Sequence, residues 1–370
     1  MATRRRWGPI GVAAGLTVTF VILLGIGTVR PDHDRSTTPA TAVAETAETK
    51  PPWLRRYAPD ELPPQFVLFS FDGAGSHEVW QRLLPAAEAS GAHLTAFLSG
   101  VYLLPDERKG EYTGPGHPQG ESAIGFGGTA EQVRERIADL SAAVRAGHEI
   151  GTHYNGHFCK GAAPGAAPWT TADWSSELSQ FFGILGAAPE LKLAGDAVQG
   201  GRTPCLEARP EALLPALAAR GMDYDASQVS DGIAWPAMHD GVWQFTLPEM
   251  RVPALRNRKV IMMDYNLWFG MNRAKEEPAR AEEFTTIALD TYRSAYAAAL
   301  GGNRAPLLVG NHFNDWSGGA FAAAAERFLA EVCTKPDTVC ATYSEVIAWM
   351  KLQDAAVLDA LRALPKPLAG

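Results

Sequence analysis

Residues 147–159 read Gly-His-Glu-Ile-Gly-Thr-His-Tyr-Asn-Gly-His-Phe-Cys, a short strand pattern followed by two histidines four positions apart. The strand pattern runs from Glu149 to Thr152 and leads directly into His153 and His157. Residues at this spacing lie on one face of a helical turn, so the two rings can converge on one ion. Paired imidazoles suit zinc or a similar divalent metal. The competing interpretation is two ordinary polar histidines in a loop, so a metal site needs partners from elsewhere in the chain.

The composition is that of a folded chain with a sizeable core. Of the 370 residues, 46% are hydrophobic and 20% are charged, which argues against disorder. The formal net charge of −8 provides no electrostatic surface for nucleic acid and disfavours tight binding to a strongly anionic polymer. The sequence indicates no protein partner.

The first 64 residues are predicted to anchor and tether a domain. Arg4–Arg6 precede the uncharged run Trp7–Val29, and about 20 apolar residues cross a bilayer as a helix. Basic residues in front keep that end in the cytoplasm, so residues 1–29 are predicted to be a cytoplasmic tip and a single-pass signal-anchor. The body then lies outside the cytoplasm. Cleavage near Ala40–Ala42, giving a secreted protein, is the alternative. Residues 30–64 are rich in Thr, Ala and Pro and predict a flexible linker.

The rest of the chain alternates strand and helix patterns, which predicts a largely parallel α/β domain at residues 65–355 and a C-terminal tail at 356–370. The strand patterns are at 65–71, 93–98, 149–152, 241–245, 259–264, 305–310 and 339–342. The helix patterns are at 78–90, 130–146, 171–185, 211–220, 281–300, 321–332 and 344–352.

Ionisable residues stand at the ends of several predicted strands. Asp72, His153, Asp264 and His312 each occupy such a position. In α/β barrels the carboxyl ends of the strands build the active site. One such residue is usually a cap or a turn former, whereas four together predict a functional site.

Five short motifs follow one another along this domain. They are Ser70-Phe71-Asp72-Gly73-Ala74, the pair His153 and His157, Arg202-Thr203-Pro204-Cys205, Asp264-Tyr265-Asn266-Leu267-Trp268, and Leu308-Val309-Gly310-Asn311-His312. In order and kind they resemble the NodB-type polysaccharide deacetylases, carbohydrate esterase family 4. The resemblance covers Phe66 to Leu352 and implies a deformed (β/α) barrel. It also implies a divalent metal, zinc first with cobalt or nickel as alternatives, and removal of N-acetyl or O-acetyl groups from a polysaccharide. Cell-wall glycan fits the predicted location.

The resemblance implies a catalytic role for each motif residue. Asp72 would be the general base, His312 the general acid, and His153 and His157 metal ligands. Asp264 would keep His312 protonated. This set suits amide hydrolysis, because that reaction needs an activated water, a carboxylate to take its proton and an acid to protonate the leaving amine.

The remaining implied roles concern orientation and substrate binding. Arg202 would hold Asp72 in its ionised form. The backbone N–H of Cys205 would face the oxyanion, since such a donor stabilises developing negative charge. Trp268 would line the acetyl pocket, and Tyr154 stands where the family has a small hydroxyl residue.

Gly73 is the main departure from the family pattern, because the family has a second, metal-binding aspartate there. The third ligand would then be Asp72 itself, a water, Glu78 or Asn155. One alternative function is a weakly active or non-catalytic protein that binds glycan. Another is a metal hydrolase that acts on a different acyl or amide bond.

Four cysteines suit an oxidising compartment. Cys333 and Cys340 flank a short loop and predict a local disulfide. The resemblance brings Cys159 and Cys205 near the metal, so we predict a second disulfide between them. The alternative is that one of these two thiolates binds the metal, since thiolate binds zinc well.

Overall fold

A computed structural model describes residues 50–160 and 164–368. The strands in these residues are β1 (Gln65–Gly73), β2 (Thr95–Leu98), β3 (Glu149–Thr152), β4 (Gly200–Gly201), β5 (Tyr224–Asp231), β6 (Ala237–His239), β7 (Val242–Val252), β8 (Arg258–Ile261), β9 (Leu307–His312) and β10 (Thr338–Cys340). The α-helices are α1 (His77–Ser90), α2 (Ala130–Arg145), α3 (Thr171–Gly186), α4 (Pro210–Ala218), α5 (Asp264–Asn272), α6 (Ala281–Gly301), α7 (Trp316–Val332), α8 (Tyr343–Leu352) and α9 (Ala355–Ala363).

The strands form one mixed sheet that curves back on itself. Its main path is β10-β1-β2-β3-β4-β5-β7-β6, with β8 paired to β7 and β9 paired to β1. A bridge between Met263 and Gly310 joins the chain just after β8 to β9. The fold is therefore mixed α/β with a parallel-strand sheet, consistent with a deformed barrel. The strands β6 and β8 are exceptions to the parallel prediction, because both pair antiparallel with β7.

The centre of the sheet is β1, because it pairs in parallel with β2, β9 and β10. Residues Phe66 to Phe69 have no solvent exposure, as expected for a strand that is covered on both faces. In the pairing of β1 with β9, Asp72 lies opposite His312. Two of the predicted catalytic residues thus come together at the carboxyl ends of adjacent strands.

The starts of the predicted helices agree with the structure to within one residue, except for α7. Thr129 and Gln132 cap the start of α2 reciprocally, and such a pair satisfies two free backbone donors. By contrast, α7 was predicted to begin at Phe321 and instead begins at Trp316. Its first turn is irregular, with positive φ at residues 317–319. This turn brings Trp316 close to β9.

Both ends of the described chain pack on the domain. Trp53 and Tyr57 lie against its core, and the Trp53 ring packs edge-on against Phe66 at 5.7 Å. In the predicted tail, α9 buries three side chains. Over residues 50–160 and 164–368, none of the helices is long and apolar enough to cross a membrane. The segment predicted to span the bilayer, residues 7–29, lies outside the residues that the structure describes.

Candidate active site

A cavity of about 770 Å³ opens at the carboxyl ends of the parallel strands. Five of the predicted site residues line it, namely Asp72, His153, His157, Cys205 and His312. Two more predicted residues, Arg202 and Asp264, are buried and make hydrogen bonds to residues of this group. The sequence motifs, which are far apart along the chain, therefore meet at one place.

The first element of the site is a buried ion pair. Arg202 Nη1 donates a 2.9 Å hydrogen bond to Asp72 Oδ1. Its Nη2 donates to the hydroxyls of Ser70 and Tyr343 at 2.9 and 2.8 Å, so the guanidinium is held from two sides. Burial is the largest single influence and by itself raises the pKa of Asp72, but the charge and hydrogen bond of Arg202, together with the nearby His153 and His312, outweigh it and lower that pKa. Asp72 is thus held as a carboxylate, the form that a general base needs.

The second element is a histidine held by a carboxylate. His312 Nδ1 lies 2.6 Å from Asp264 Oδ1, and the backbone N–H of His312 donates to Oδ2 at 2.7 Å. Burial is the largest single influence and by itself lowers the pKa of His312, but the charge and hydrogen bond of Asp264, together with the charge of Asp72, outweigh it and raise that pKa. The His312 side chain is 20% exposed and lines the cavity. The arrangement favours a protonated imidazole that faces the cavity.

The third element is the histidine pair, and its geometry fits a metal ion. His153 Nδ1 lies 2.7 Å from the carbonyl oxygen of Arg202. A carbonyl only accepts, so Nδ1 carries the proton and Nε2 keeps a free lone pair. That Nε2 is buried and has no hydrogen-bond partner among the described residues. The rings of His153 and His157 are 5.1 Å apart.

Burial also keeps both rings in the form that binds metal. It lowers the pKa of His153 to about 3, and it lowers the pKa of His157 as well. Metal ligation requires neutral imidazole. The orphaned Nε2, the backbone hydrogen bond at Nδ1 and the neutral rings together match what a divalent ion requires of histidine ligands.

Both predicted disulfides are present, Cys159–Cys205 and Cys333–Cys340. The Cys159–Cys205 bridge ties the loop that follows His157 to the loop that follows Arg202. Ligand atoms of His157, Cys159 and Cys205 lie within 4.8 Å of one another. The sulfurs of Cys159 and Cys205 are bonded to each other, so neither residue is a thiolate. The alternative in which one of these two cysteines binds the metal is therefore wrong.

The backbone conformation at Gly73 does not suit an aspartate, the residue that would supply a carboxylate ligand there. Gly73 has φ +102°, a conformation that is strained for any residue with a Cβ. Of the suggested substitutes, Glu78 and Asn155 are not among the residues that line the cavity. Asn155 is instead bound to Glu177, through its side-chain amide at 2.9 Å and its backbone N–H at 3.0 Å.

Two predicted substrate contacts are not at the cavity. Tyr154 has a positive φ and is buried, with its ring packed on Trp174 at a centroid distance of 4.9 Å. Trp268 is buried and donates to the carbonyl of Lys275 at 3.0 Å. It packs at 5.1 Å on Trp316, and Trp316 is the tryptophan that lines the cavity.

Trp316 is a site residue that sequence reasoning missed. Its ring centroid is 5.0 Å from that of His312. The signal available in the sequence was the spacing. Trp316 is four residues after His312, so a single turn of chain can place the two side chains on the same side. The helix predicted to start at Phe321 hid that signal, because it placed Trp316 in a loop of undefined direction.

Sequence reasoning also missed the support behind Arg202. The Nε of Arg202 donates to the carbonyl of Ala226 at 3.1 Å, and the backbone N–H of Thr203 donates to Ser227 Oγ at 2.9 Å. The Ser227 hydroxyl in turn donates to Asp225 Oδ1. Burial raises the pKa of Asp225 to about 6. These residues lie in β5 at a register shift against β7, where a bulge frees polar groups from the ladder.

The sequence matches no protein-family model, and no curated protein matches it. Solved structures do match, and they place the fold in a known class of α/β proteins. A Mycobacterium smegmatis protein assigned to the polysaccharide deacetylases is 20% identical with a TM-score of 0.50, over 86% of this chain and 99% of its own. A family 4 carbohydrate esterase from Streptomyces lividans, solved with acetate, is 15% identical with a TM-score of 0.40, over 77% of this chain and 95% of its own.

A family 4 pseudoenzyme from Bacillus anthracis is 11% identical with a TM-score of 0.37, over 80% of this chain and 66% of its own. By its own fold, this chain belongs to the class of α/β proteins that have a cavity at the carboxyl ends of their parallel strands. More specifically, the chain shares its fold with the Mycobacterium smegmatis protein assigned to the polysaccharide deacetylases.

Proposed function

We propose that this chain is an extracytoplasmic, metal-dependent hydrolase that removes acetyl groups from a polysaccharide, with N-acetyl groups first and O-acetyl groups as the alternative. One observation carries the proposal. The carboxylate of Asp72, held ionised by Arg202, and the imidazole of His312, held by Asp264, lie on adjacent strands in one cavity with His153. A base and an acid in opposite charge states are what hydrolysis of an amide requires.

Each residue has a defined task in this reaction. His153 and His157 would hold the ion, which when bound lowers the pKa of water and polarises the acyl carbonyl. Asp72 takes a proton from the attacking water, and Arg202 keeps Asp72 ready for it.

The second half of the reaction needs a proton donor and an anion stabiliser. His312 gives its proton to the leaving amine nitrogen, so the C–N bond breaks to yield free amine and acetate. Cys205 lines the cavity, and its backbone N–H would stabilise the oxyanion in this step.

The predicted anchor and the two disulfides support an extracytoplasmic location, because disulfides persist in oxidising compartments. Such a location makes cell-wall glycan the substrate to test first. Zinc is the ion to test first, since neutral histidines suit it, with cobalt and nickel next.

The positive φ of Gly73 supports a second candidate, a weakly active or non-catalytic protein that binds glycan. Loss of an anionic ligand weakens metal binding. The aliphatic side chains of Leu206, Val229 and Ile261, which also line the cavity, support a third candidate, hydrolysis of a bulkier acyl or amide bond.

The test combines metal analysis of the purified full chain with acetate release from N-acetylglucosamine polymers and acetylated xylan. We expect His153→Ala to abolish acetate release while the fold is kept, because it removes one of two metal-binding rings. The matched control is His239→Ala, which removes an exposed histidine on β6, outside the cavity.

Two results would contradict the proposal. One is a wild-type protein that releases no acetate from either substrate after zinc, cobalt or nickel is added. The other is full activity in the His153→Ala variant. Release of a larger acyl group without acetate would favour the third candidate.

A further inference from the structure

Ser99 lines the cavity and directly follows β2, which lies in the sheet between β1, where Gly73 is, and β3, which leads into His153. The backbone N–H of Ser99 donates to the carbonyl of Gly73 at 3.3 Å. On the other side of β2, the backbone N–H of His153 donates to the carbonyl of Leu98 at 2.8 Å. Ser99 is therefore next to Gly73, the position at which the family pattern has its second aspartate.

The hydroxyl of Ser99 is buried and unpaired. The residue has no solvent exposure, and Ser99 Oγ has no hydrogen-bond partner within the part of the chain that the structure describes. A buried hydroxyl without a partner is costly, so native proteins normally satisfy it. Tyr154 and Thr203 also have unpaired hydroxyls, but neither lines the cavity. Ser99 does line it, as does His153 with its own unpaired Nε2.

We propose that Ser99 is the oxygen ligand that accompanies His153 and His157 in the metal site, in place of the carboxylate absent at Gly73. This inference rests on the proposed metal dependence and concerns the composition of the same site. A hydroxyl is neutral, whereas a carboxylate brings a negative charge to the cation. The ion is therefore bound more weakly than it would be with a carboxylate at this place.

The backbone explains why residue 99, and not residue 73, can carry the ligand. Ser99 has φ −78° and ψ 113°, an extended conformation open to every L-residue. Gly73 has φ +102°, which a residue with a side chain adopts only under strain. A carboxylate introduced at Ser99 thus meets no backbone obstacle, while one introduced at Gly73 does.

The test is the zinc affinity of the full chain, measured by calorimetry or by competition with a chromophoric chelator, without substrate. We expect Ser99→Asp to bind zinc at least tenfold more tightly and Ser99→Ala to bind roughly tenfold more weakly, since changes around a metal commonly alter affinity by about 10- to 100-fold. Ser99→Thr keeps the hydroxyl and should retain most of the affinity. Gly73→Asp should bind no more tightly than wild type and should melt at a lower temperature.

The control for added charge is Ser176→Asp, on the exposed face of α3, which should leave zinc affinity unchanged. Melting curves add a second measurement. Without zinc, Ser99→Ala should be at least as stable as wild type, because it removes an unpaired buried hydroxyl. With zinc, it should gain less in melting temperature than wild type does.

Unchanged zinc affinity in both Ser99→Asp and Ser99→Ala would overturn the inference. So would a gain of affinity in Gly73→Asp that Ser99→Asp does not show. If the wild type binds no zinc, Ser99→Asp is still expected to create binding, and failure to do so also overturns it. Because no substrate is involved, these outcomes are independent of acetate release, which tests the proposed function.

Discussion

Asp72 and His312 are register partners on β1 and β9, yet their pKa values are shifted in opposite directions. The pKa of Asp72 is lowered chiefly by Arg202 acting against burial, and that of His312 is raised chiefly by Asp264 acting against burial. A lowered carboxyl pKa keeps the base ionised down to low pH. A raised imidazole pKa keeps the acid protonated to higher pH. Activity should therefore extend above pH 6.5, the ordinary pKa of histidine.

The first prediction tests the role of Asp264. In Asp264→Asn the negative charge beside His312 is lost while burial remains, so the pKa of His312 falls. The alkaline limb of the pH profile of kcat/KM should move to lower pH by at least about one unit, and activity at neutral pH should drop roughly tenfold or more. The measurement is acetate release across a pH series.

A control for this variant is Asp231→Asn, an exposed carboxylate at the end of β5 that pairs with Lys259. It should leave the pH profile in place. An unchanged alkaline limb in Asp264→Asn would contradict the assignment of His312 as the acid.

At the scale of single elements, the bulge in β5 supports the loop of Arg202 and Cys205 through hydrogen bonds to Arg202 and Thr203. The second prediction is that Ser227→Ala lowers kcat roughly tenfold with little change in KM, because the Thr203 backbone N–H loses its acceptor and the loop loosens around the reacting groups. Steady-state kinetics on an N-acetylglucosamine polymer measures both constants.

The matched control for the bulge is Ser230→Ala in the same strand. Ser230 bonds to Thr246 and to Gly232, away from the loop. Equal effects of Ser227→Ala and Ser230→Ala would show that β5 acts only through general stability.

Sequence reasoning succeeded for elements with a strong local pattern and failed where tertiary context decides. The apolar run of β1 and the capping box of α2 were identifiable, and so were the ionisable residues that follow the strands. In contrast, Tyr224–Asp231 is mostly polar in sequence and was not predicted as a strand, although its first four residues are buried. Two of its acceptors, the Ala226 carbonyl and the Ser227 hydroxyl, are bonded by Arg202 and Thr203, which are distant enough in sequence that no local pattern indicates the pairing.

The same limit applies to the aromatic residues of the site. Trp268 and Trp316 are both near a proposed catalytic residue in sequence, but only Trp316 lines the cavity. Which of two stacked rings faces the substrate depends on the irregular first turn of α7. The backbone conformation of Gly73 could not be predicted either, because the sequence shows that a carboxylate is missing there but does not show the positive φ.

At the scale of the whole molecule, two disulfides close loops of very different length. Cys159 and Cys205 are 46 positions apart, and Cys333 and Cys340 are 7 apart. In the chain-entropy account, the longer loop contributes about 4 kcal/mol and the shorter about 2.5 kcal/mol to the free energy of unfolding.

The third prediction follows from these loops. Replacing Cys159 and Cys205 by serine should lower the melting temperature more than replacing Cys333 and Cys340. The first pair of replacements should also reduce acetate release, because it frees the loops of His157 and Arg202, whereas the second should leave it nearly intact. Calorimetry and kinetics on the two double variants measure this. A larger thermal loss from the short loop would contradict the prediction.

The central position of β1 has a consequence for how the chain is made. This strand emerges early in synthesis, but two of its partners, β9 and β10, come from the last part of the domain. A long interval therefore separates the appearance of its apolar segment from the arrival of the strands that cover it, and such distant pairing is slow to form. During that interval the segment is open to aggregation. We expect the nascent chain to depend on chaperones until its C-terminal third has left the ribosome.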